Sequence, residues 1–309
     1  MKLATTVIPP FGLGTAPLGG LYENVSHDEG VATVLAALDA GYEYLDTAPL
    51  YGYGRAESIV GDALRHAESM PMVSTKVGRL LDHTTVRPTG DMFAGAVGAF
   101  QWDFSASGVR RSLESSLDRL GLDRVDVAFI HDPDRFADQA LAEAYPEMEA
   151  LRSEGLVGLI GIGMNEPQLP TRFVRDTDID VMLIAGRYTL LDRSAAEELL
   201  PEAIRRGVHV IAAGVYNSGI LTGDEATPHF DYAPAPQKLV ERTDVLACVC
   251  DRFGTKLRTA AVQFPSRHPA VDTVLVGARS PLEAAENLQN FTAAVPHGLW
   301  GVLETVSVD

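Results

Sequence analysis

The sequence predicts an α/β fold, a single (β/α)₈ TIM barrel with long loops at its C-terminal face, and three observations carry that expectation. Eight short apolar or β-branched runs recur along the chain. Most are followed by an amphipathic stretch of helical period, the alternation of parallel strand–helix–strand construction. The length of 309 residues is one that such barrels reach as one domain, so residues 1–309 are read as one unit.

In order, the runs are Gly12–Ala16, Glu43–Thr47, Met72–Lys76, Val125–His131, Val157–Gly163, Asp180–Ile184, His209–Ala213 and Thr273–Gly277. After the first, Ser26-His-Asp-Glu29 has capping-box spacing, and Val31, Val34, Leu35 and Leu38 then form one apolar stripe. Leu113, Leu117 and Leu120 make a similar stripe after the third, while Ser194-Ala-Ala-Glu197 repeats the capping box after the sixth. Ser280-Pro281-Leu-Glu283 adds a proline at the first helical position, which marks a helix start after the last run. Residues 77–106 and 214–238 are longer than a connection requires, and both follow strands, where barrel loops overlie the active face. The proline-rich 233–236 is read as a loop rim.

Composition bounds the function. With 46% hydrophobic and 22% charged residues the chain has ample core, and a net charge of −17 disfavours nucleic-acid binding, which needs a basic footprint. The acidic surface weakly favours a neutral small-molecule substrate. Neither a signal-like start nor an apolar run of about 18 residues is seen, so no membrane span and a cytoplasmic location are expected. Cys248 and Cys250, two apart in a helical stretch, point to different faces, so neither disulfide nor metal site is expected.

Polar residues stand at the ends of several runs: Asp46, Lys76, His131 and, just beyond IGIGM, Asn165. Chemistry in barrels sits at this rim. Tyr51 follows Asp46 by five residues on the loop leaving the same strand. A neighbouring ammonium favours phenolate, so Lys76 is expected to lower the Tyr51 pKa, with Asp46 fixing Lys76 and His131 hydrogen-bonding the tyrosine oxygen or the substrate.

With these residues in place, FGLGTAPLGG, DTAPLYGYGRAE, FIHDPD, IGIGMN, GILTG and VGARSPLEAAENLQ resemble the aldo-keto reductases in order and over nearly the whole chain. The resemblance implies that Asp46, Tyr51, Lys76 and His131 are the catalytic set. It implies a nicotinamide dinucleotide lying across the mouth, held by Gly14, Thr15, Asp46, Asn165, Gly214, Ser218, Gly277, Arg279, Ser280, Glu283, Glu286 and Asn287. Met164, Ala185 and Ala213 stand where the family has a serine, a glutamine and a stacking aromatic, and Tyr216 is the candidate to compensate for the last. Glu283 replaces an arginine found in NADP-preferring members, which favours NAD; the alternative is that Glu283 only caps its helix and Arg279 still holds a phosphate.

Within the family the chain is most similar to the sugar 1-dehydrogenases acting on L-fucose, L-galactose and D-threo-aldoses, which oxidise a hemiacetal to a lactone. Pyridoxal 4-dehydrogenase belongs to the same branch and is the alternative, beside an NADPH-dependent aldehyde reductase and a regulatory subunit like the channel β-subunits. Tyr22, Trp102, Phe104 and Asp132 join Tyr51 and His131 as candidate substrate contacts, with Asp134 a further acceptor for sugar hydroxyls; Trp102 stands out because an indole on a loop needs cover. The oligomeric state does not follow from these residues.

Overall fold

The computed structural model describes residues 7–82, 84, 93–223, 229–231 and 233–306, so parts of both long loops lie outside the described residues. Each expected run overlaps a strand, with ends shifted by one or two residues in most: β1 (Phe11–Gly14), β2 (Tyr44–Asp46), β3 (Met72–Val77), β4 (Val125–His131), β5 (Val157–Met164), β6 (Val181–Ala185), β7 (His209–Ala213) and β8 (Val271–Gly277). They close into a parallel barrel in sequence order, with β1 pairing both β2 and β8.

Because side chains alternate along a strand, every second residue faces inward. Tyr44, Val127, Phe129, Val181, Leu183, Ile211 and Leu275 fill the interior. A Cβ at Gly12 would come within 2.6 Å of Leu275 Cδ2, so glycine there lets its neighbours close over β1. Two residues further along, the same parity brings Gly14, Asp46, Lys76, His131, Ala185, Ala213 and Gly277 to the rim. The rim is thereby divided: β2 to β4 carry charged or polar groups, and β6, β7, β8 and β1 end in alanine or glycine.

The outer layer comprises α1 (His27–Ala40), α2 (Arg55–Leu64), α3 (Ala106–Leu120), α4 (Tyr145–Ser153), α5 (Gln168–Asp176), α6 (Leu199–Arg206), α7 (Gln237–Arg252), α8 (Leu257–Gln263), α9 (Pro281–Thr292) and α10 (His297–Thr305). Val34, Leu113, Leu117 and Leu120 are buried against the barrel, and Val31, Leu35 and Leu38 pack partly buried beside them. A separate apolar cluster joins α7, α8 and α10 and takes in Cys250, whereas Cys248 on the same helix is exposed.

Ser26 and Ser280 cap α1 and α9 as expected, accepting from the Glu29 and Glu283 amides at 3.2 and 3.3 Å. Ser194 does not cap a helix. Asp192 binds both its amide and its hydroxyl, at 2.9 and 2.6 Å, and this local turn diverts the serine into a 3₁₀ turn; α6 starts only at Leu199.

The two long loops carry hairpins. Arg79–Asp82 pairs antiparallel with Ala99–Trp102, and His229–Phe230 with Ala233–Pro234, so the proline-rich segment forms a short exposed edge. Among the described residues no helix is long and apolar enough to cross a membrane, and no group of histidine, cysteine and carboxylate side chains could hold a metal ion.

Candidate active site

Asp46 is the last residue of β2 and Lys76 the last inward-facing residue of the adjacent β3, and this shared parity buries them together. Lys76 Nζ donates to Asp46 Oδ2 at 2.7 Å and to the Thr47 carbonyl at 2.9 Å. The other Asp46 oxygen accepts from Ser74 at 2.7 Å, and Ser74 accepts from Tyr44 at 2.9 Å. The side chains of Lys76 and Asp46 are 1% and 4% exposed, so this hydrogen-bonded chain of four residues is sealed from water. A buried ion pair of this kind holds only because its remaining donors and acceptors are satisfied.

Tyr51 stands above the pair on the loop from β2 to α2. Lys76 Nζ lies 4.7 Å from its ring centroid, and the His131 ring meets it edge-on with centroids 6.1 Å apart. The structure therefore brings Asp46, Tyr51, Lys76 and His131 to one place, without a hydrogen bond between Tyr51 and His131. The expected lowering of the Tyr51 pKa is corrected. Burial first, then Asp46 and Asp132, push it well above its ordinary value, and the cation that opposes them is Arg79. Lys76 is spent on Asp46 and Thr47, approaching the phenol from its ring face.

The helix after this loop is tied to the strand bearing Lys76. Glu57 on α2 is wholly buried, accepts from Thr75 at 2.6 Å and pairs with Arg119 of α3 at 2.7 Å. The glutamate of the GRAES segment thus anchors α2 to β3.

His131, at the end of β4, is buried and pushed well below its ordinary pKa by desolvation, Arg79 and Lys76. Arg79 donates to His131 Nδ1 and, at 2.8 Å, to Asp132 Oδ2. Its guanidinium lies 4.2 Å from the Trp102 ring centroid. Sequence reasoning missed Arg79, Ser74 and Tyr44. Stepping back two residues from Lys76 and from Asp46 finds the last two; only the hairpin that folds Arg79 over β4 reveals the first.

The candidate substrate contacts divide. Phe104 is fully buried against Trp102 and Phe136, so it supports the hairpin and offers no surface to a ligand. Trp102 is in a strand of that hairpin rather than a loop, partly exposed and covered by Arg79 and Phe104. Asp132, in left-handed backbone with φ of 43°, commits one oxygen to Arg79. Asp134 opens an exposed 3₁₀ turn, and Tyr22 is exposed with its ring 6.1 Å from His229 of the second hairpin. That hairpin is held by Arg187, which binds Asp231 at 2.9 and 3.0 Å and Glu166 at 2.9 Å, a clasp not foreseen from sequence.

The other half of the rim fits an extended dinucleotide. Gly14 and Gly277 are register partners; Gly14 has nothing nearer than 4.0 Å on its Cβ side, whereas the Pro17 ring packs against Gly277, and Thr15 is fixed by its hydroxyl bond to the Asp46 carbonyl at 3.0 Å. Ala185 and Ala213 floor this side with methyl groups. Among the described residues Asn165 has no hydrogen-bond partner, and Asn217 has a buried, unpartnered Oδ1. Gly214, Asn217, Ser218 and Gly219 all have positive φ, and the Asn217 and Gly219 amides donate to the Gly214 and Tyr216 carbonyls at 2.9 and 3.0 Å, so the segment after β7 is a tight turn. Tyr216 donates to Asn287 at 3.3 Å, and Asn287 donates to the Gly277 carbonyl at 3.0 Å, so Tyr216 braces β8 and α9. At the N-terminus of α9, Arg279 pairs with Glu23 at 2.9 Å and with Glu283 at 2.8 Å. Glu283 also accepts from the Arg279 amide at 2.8 Å, so it both caps and neutralises. Glu286 lies 3.7 Å from Arg258.

The profile of the Aldo/keto reductase family matches residues 10–297. A D-threo-aldose 1-dehydrogenase of Pseudomonas sp is 39% identical over 310 residues, covering 97% of this chain and 94% of the relative. A pyridoxal 4-dehydrogenase of Microbacterium luteolum is 38% identical over 320 residues, covering 96% and 94%. An L-galactose dehydrogenase of Arabidopsis thaliana is 31% identical over 288 residues, covering 91% and 83%. Among solved structures, the glycerol dehydrogenase of Gluconobacter oxydans superposes with a TM-score of 0.78 at 23% identity, covering 99% of this chain and 93% of that one, a likeness of fold. With the barrel, the rim and these matches together, the chain belongs to the aldo/keto reductase family and is an NAD(P)-dependent oxidoreductase.

Proposed function

We propose that the chain oxidises the hemiacetal carbon of a neutral aldose of the L-fucose, L-galactose or D-threo-aldose type to a lactone, with Tyr51 as proton acceptor. The observation that carries the reading is the sealed chain Tyr44–Ser74–Asp46–Lys76 under Tyr51 and beside His131. It is supported by likeness to sugar 1-dehydrogenases over most of the chain. Asp46, Tyr51, Lys76 and His131 are the catalytic set in this reading. Bound nicotinamide supplies the acceptor for the hydride leaving C1, so that carbon ends as the lactone carbonyl. Tyr51, after its own proton has left to solvent, takes the proton of the anomeric hydroxyl as the hydride leaves C1, and Lys76, held by Asp46, keeps a positive charge beneath the Tyr51 ring. His131 fixes the reacting oxygen by a hydrogen bond. Because burial and two carboxylates hold the Tyr51 proton, the phenolate that accepts the substrate proton forms more readily at higher pH, and oxidation runs faster as pH rises.

Gly14, Thr15, Asn165, Gly214, Ser218, Gly277, Arg279, Ser280, Glu286 and Asn287 would hold the dinucleotide. NAD is favoured because Glu283 and Glu23 already neutralise Arg279, and a 2′-phosphate would face Glu283. Tyr22, Trp102 and Asp132 are the proposed substrate-side neighbours. The enzyme is read as one unit of residues 1–309 working in the cytoplasm on a small molecule, without nucleic-acid or membrane partners.

The test is the rate of NAD and NADP reduction with L-fucose, L-galactose, D-arabinose and pyridoxal. NADH formation with one sugar is the expected result. A response to pyridoxal alone moves the substrate to a pyridine hemiacetal, and NADPH consumption with simple aldehydes and no sugar oxidation overturns the proposal.

A further inference from the structure

Arg79 stands three residues beyond Lys76, at the start of the first hairpin, and is 5% exposed. Two different nitrogens of its fork are engaged: Nη1 donates to His131 Nδ1 and Nη2 to Asp132 Oδ2. Its planar face is 4.2 Å from the Trp102 ring centroid and 5.5 Å from that of Phe100, which fixes its orientation. A lysine could make one of these bonds but not both while stacking. A guanidinium has no acceptor and keeps its proton throughout the range in which proteins fold. The imidazole nitrogen that accepts from it must therefore carry a lone pair, which leaves the single ring proton on Nε2.

We propose that Arg79 is a positioning residue that holds His131 as the neutral Nε2–H tautomer, so that His131 serves as a fixed hydrogen-bond donor and neither takes up nor releases a proton. The consequence for turnover rests on the hemiacetal-oxidising reading, whereas the tautomer does not. The charged and titratable groups facing the ring are Lys76 from β3, Arg79 from the hairpin, Tyr51 from the β2 loop, and Asp132, whose Oδ2 is 3.4 Å from Nε2. Asp134 acts on Arg79 and Asp132 from farther out. Protonating Nδ1 would set an N–H against an N–H of Arg79, so the contact itself forbids the imidazolium. Burial and the two cations push the ring the same way.

The experiment is long-range proton–nitrogen correlation NMR of the His131 imidazole from about pH 5 to 9, its resonances assigned by loss in His131→Gln, near its ordinary pKa of about 6.5. The wild type is expected to show a protonated Nε2 and a bare Nδ1 throughout. A protonated Nδ1, or a ring that titrates near neutrality, overturns the proposal without reference to any variant. Arg79→Met removes the donor at Nδ1 and one of the two cations, so the ring should gain the Nδ1–H form and titrate at a higher pH than in the wild type, still below the ordinary value because burial and Lys76 remain. The variant should also give kcat/KM an acid limb falling about tenfold per pH unit, absent from the wild type. Asp132→Asn keeps the Arg79–His131 bond and should leave the tautomer unchanged; if it shifts the ring as Arg79→Met does, Arg79 acts only by neutralising Asp132 and the proposal fails. If no aldose is oxidised but the wild-type ring shows the fixed tautomer, the substrate reading falls and this one stands.

Discussion

Replacing Lys76 by methionine keeps most of the side-chain volume and removes the charge beneath Tyr51. Asp46 is then left buried with the Ser74 hydroxyl as its remaining partner, since its other oxygen was satisfied by Lys76 at 2.7 Å. Breaking a buried pair by deleting one member costs about 3–5 kcal/mol, and the lost bond to the Thr47 carbonyl adds about 1 kcal/mol. Domains somewhat smaller than this one lose about 2–4 °C of Tm per kcal/mol, so Lys76→Met should melt roughly 10 °C below the wild type. Asp46→Asn should cost a similar amount, because it strands the ammonium. The double variant Asp46→Asn/Lys76→Met buries only neutral groups and should recover about 1–3 kcal/mol relative to the sum of the two. Differential scanning fluorimetry of the four proteins measures this coupling, and nicotinamide reduction should be lost in all three variants. Strict additivity of the Tm losses would refute a desolvated pair at the base of the site, and turnover in the double variant would refute its part in the chemistry.

Tyr51→Phe should lower kcat by about 10²–10⁴ while leaving the Kd for NADH, read by fluorescence titration, within about twofold; normal turnover would end the proton-acceptor role. Glu283→Gln frees Arg279 and removes the carboxylate facing the 2′ position. It should shift the ratio of NADPH to NADH affinity by about 10- to 100-fold toward NADPH, and an unmoved ratio would mean that Glu283 only caps α9. For His131 the folded state favours the neutral ring, so between its depressed pKa and the unfolded value of about 6.5 the unfolded chain binds the extra proton. Stability should then fall by up to about 1.4 kcal/mol per pH unit on acidification below that value. His131→Gln should lack this component, and parallel urea midpoints for the two proteins across pH 5–7 would contradict it.

The barrel was legible because its strands announce themselves by β-branched runs and its helices by stripes such as Val31, Val34, Leu35 and Leu38. Strand parity also made part of the site legible. Asp46 and His131 end their strands and Lys76 stands one residue short of its end, all with the same inward parity as Tyr44, Ser74 and Phe129, so a period of two runs from the floor of the barrel to its chemistry. What the sequence concealed depends on contacts between distant loops. Arg79 reaches His131 across 52 positions, and Arg187 reaches Asp231 across 44, with no local pattern to betray either. Ser194 misled for the opposite reason: its capping spacing was real, but Asp192 two residues earlier captured both its amide and its hydroxyl. The Tyr51 expectation counted the nearest cation in sequence logic, whereas in space the phenol is governed by burial, two carboxylates and Arg79.

Barrel enzymes change substrates by exchanging the loops above a constant scaffold. In this protein the first of those loops is not interchangeable in that sense, because the hairpin that carries Trp102 toward the mouth also carries the guanidinium wired to His131. A transplant of that segment from a relative would import a new binding wall and sever an internal connection in the same operation. Modularity therefore stops at Gly78. A graft retaining Arg79 and its aromatic neighbours keeps the contact to His131, and one that discards them must rebuild it.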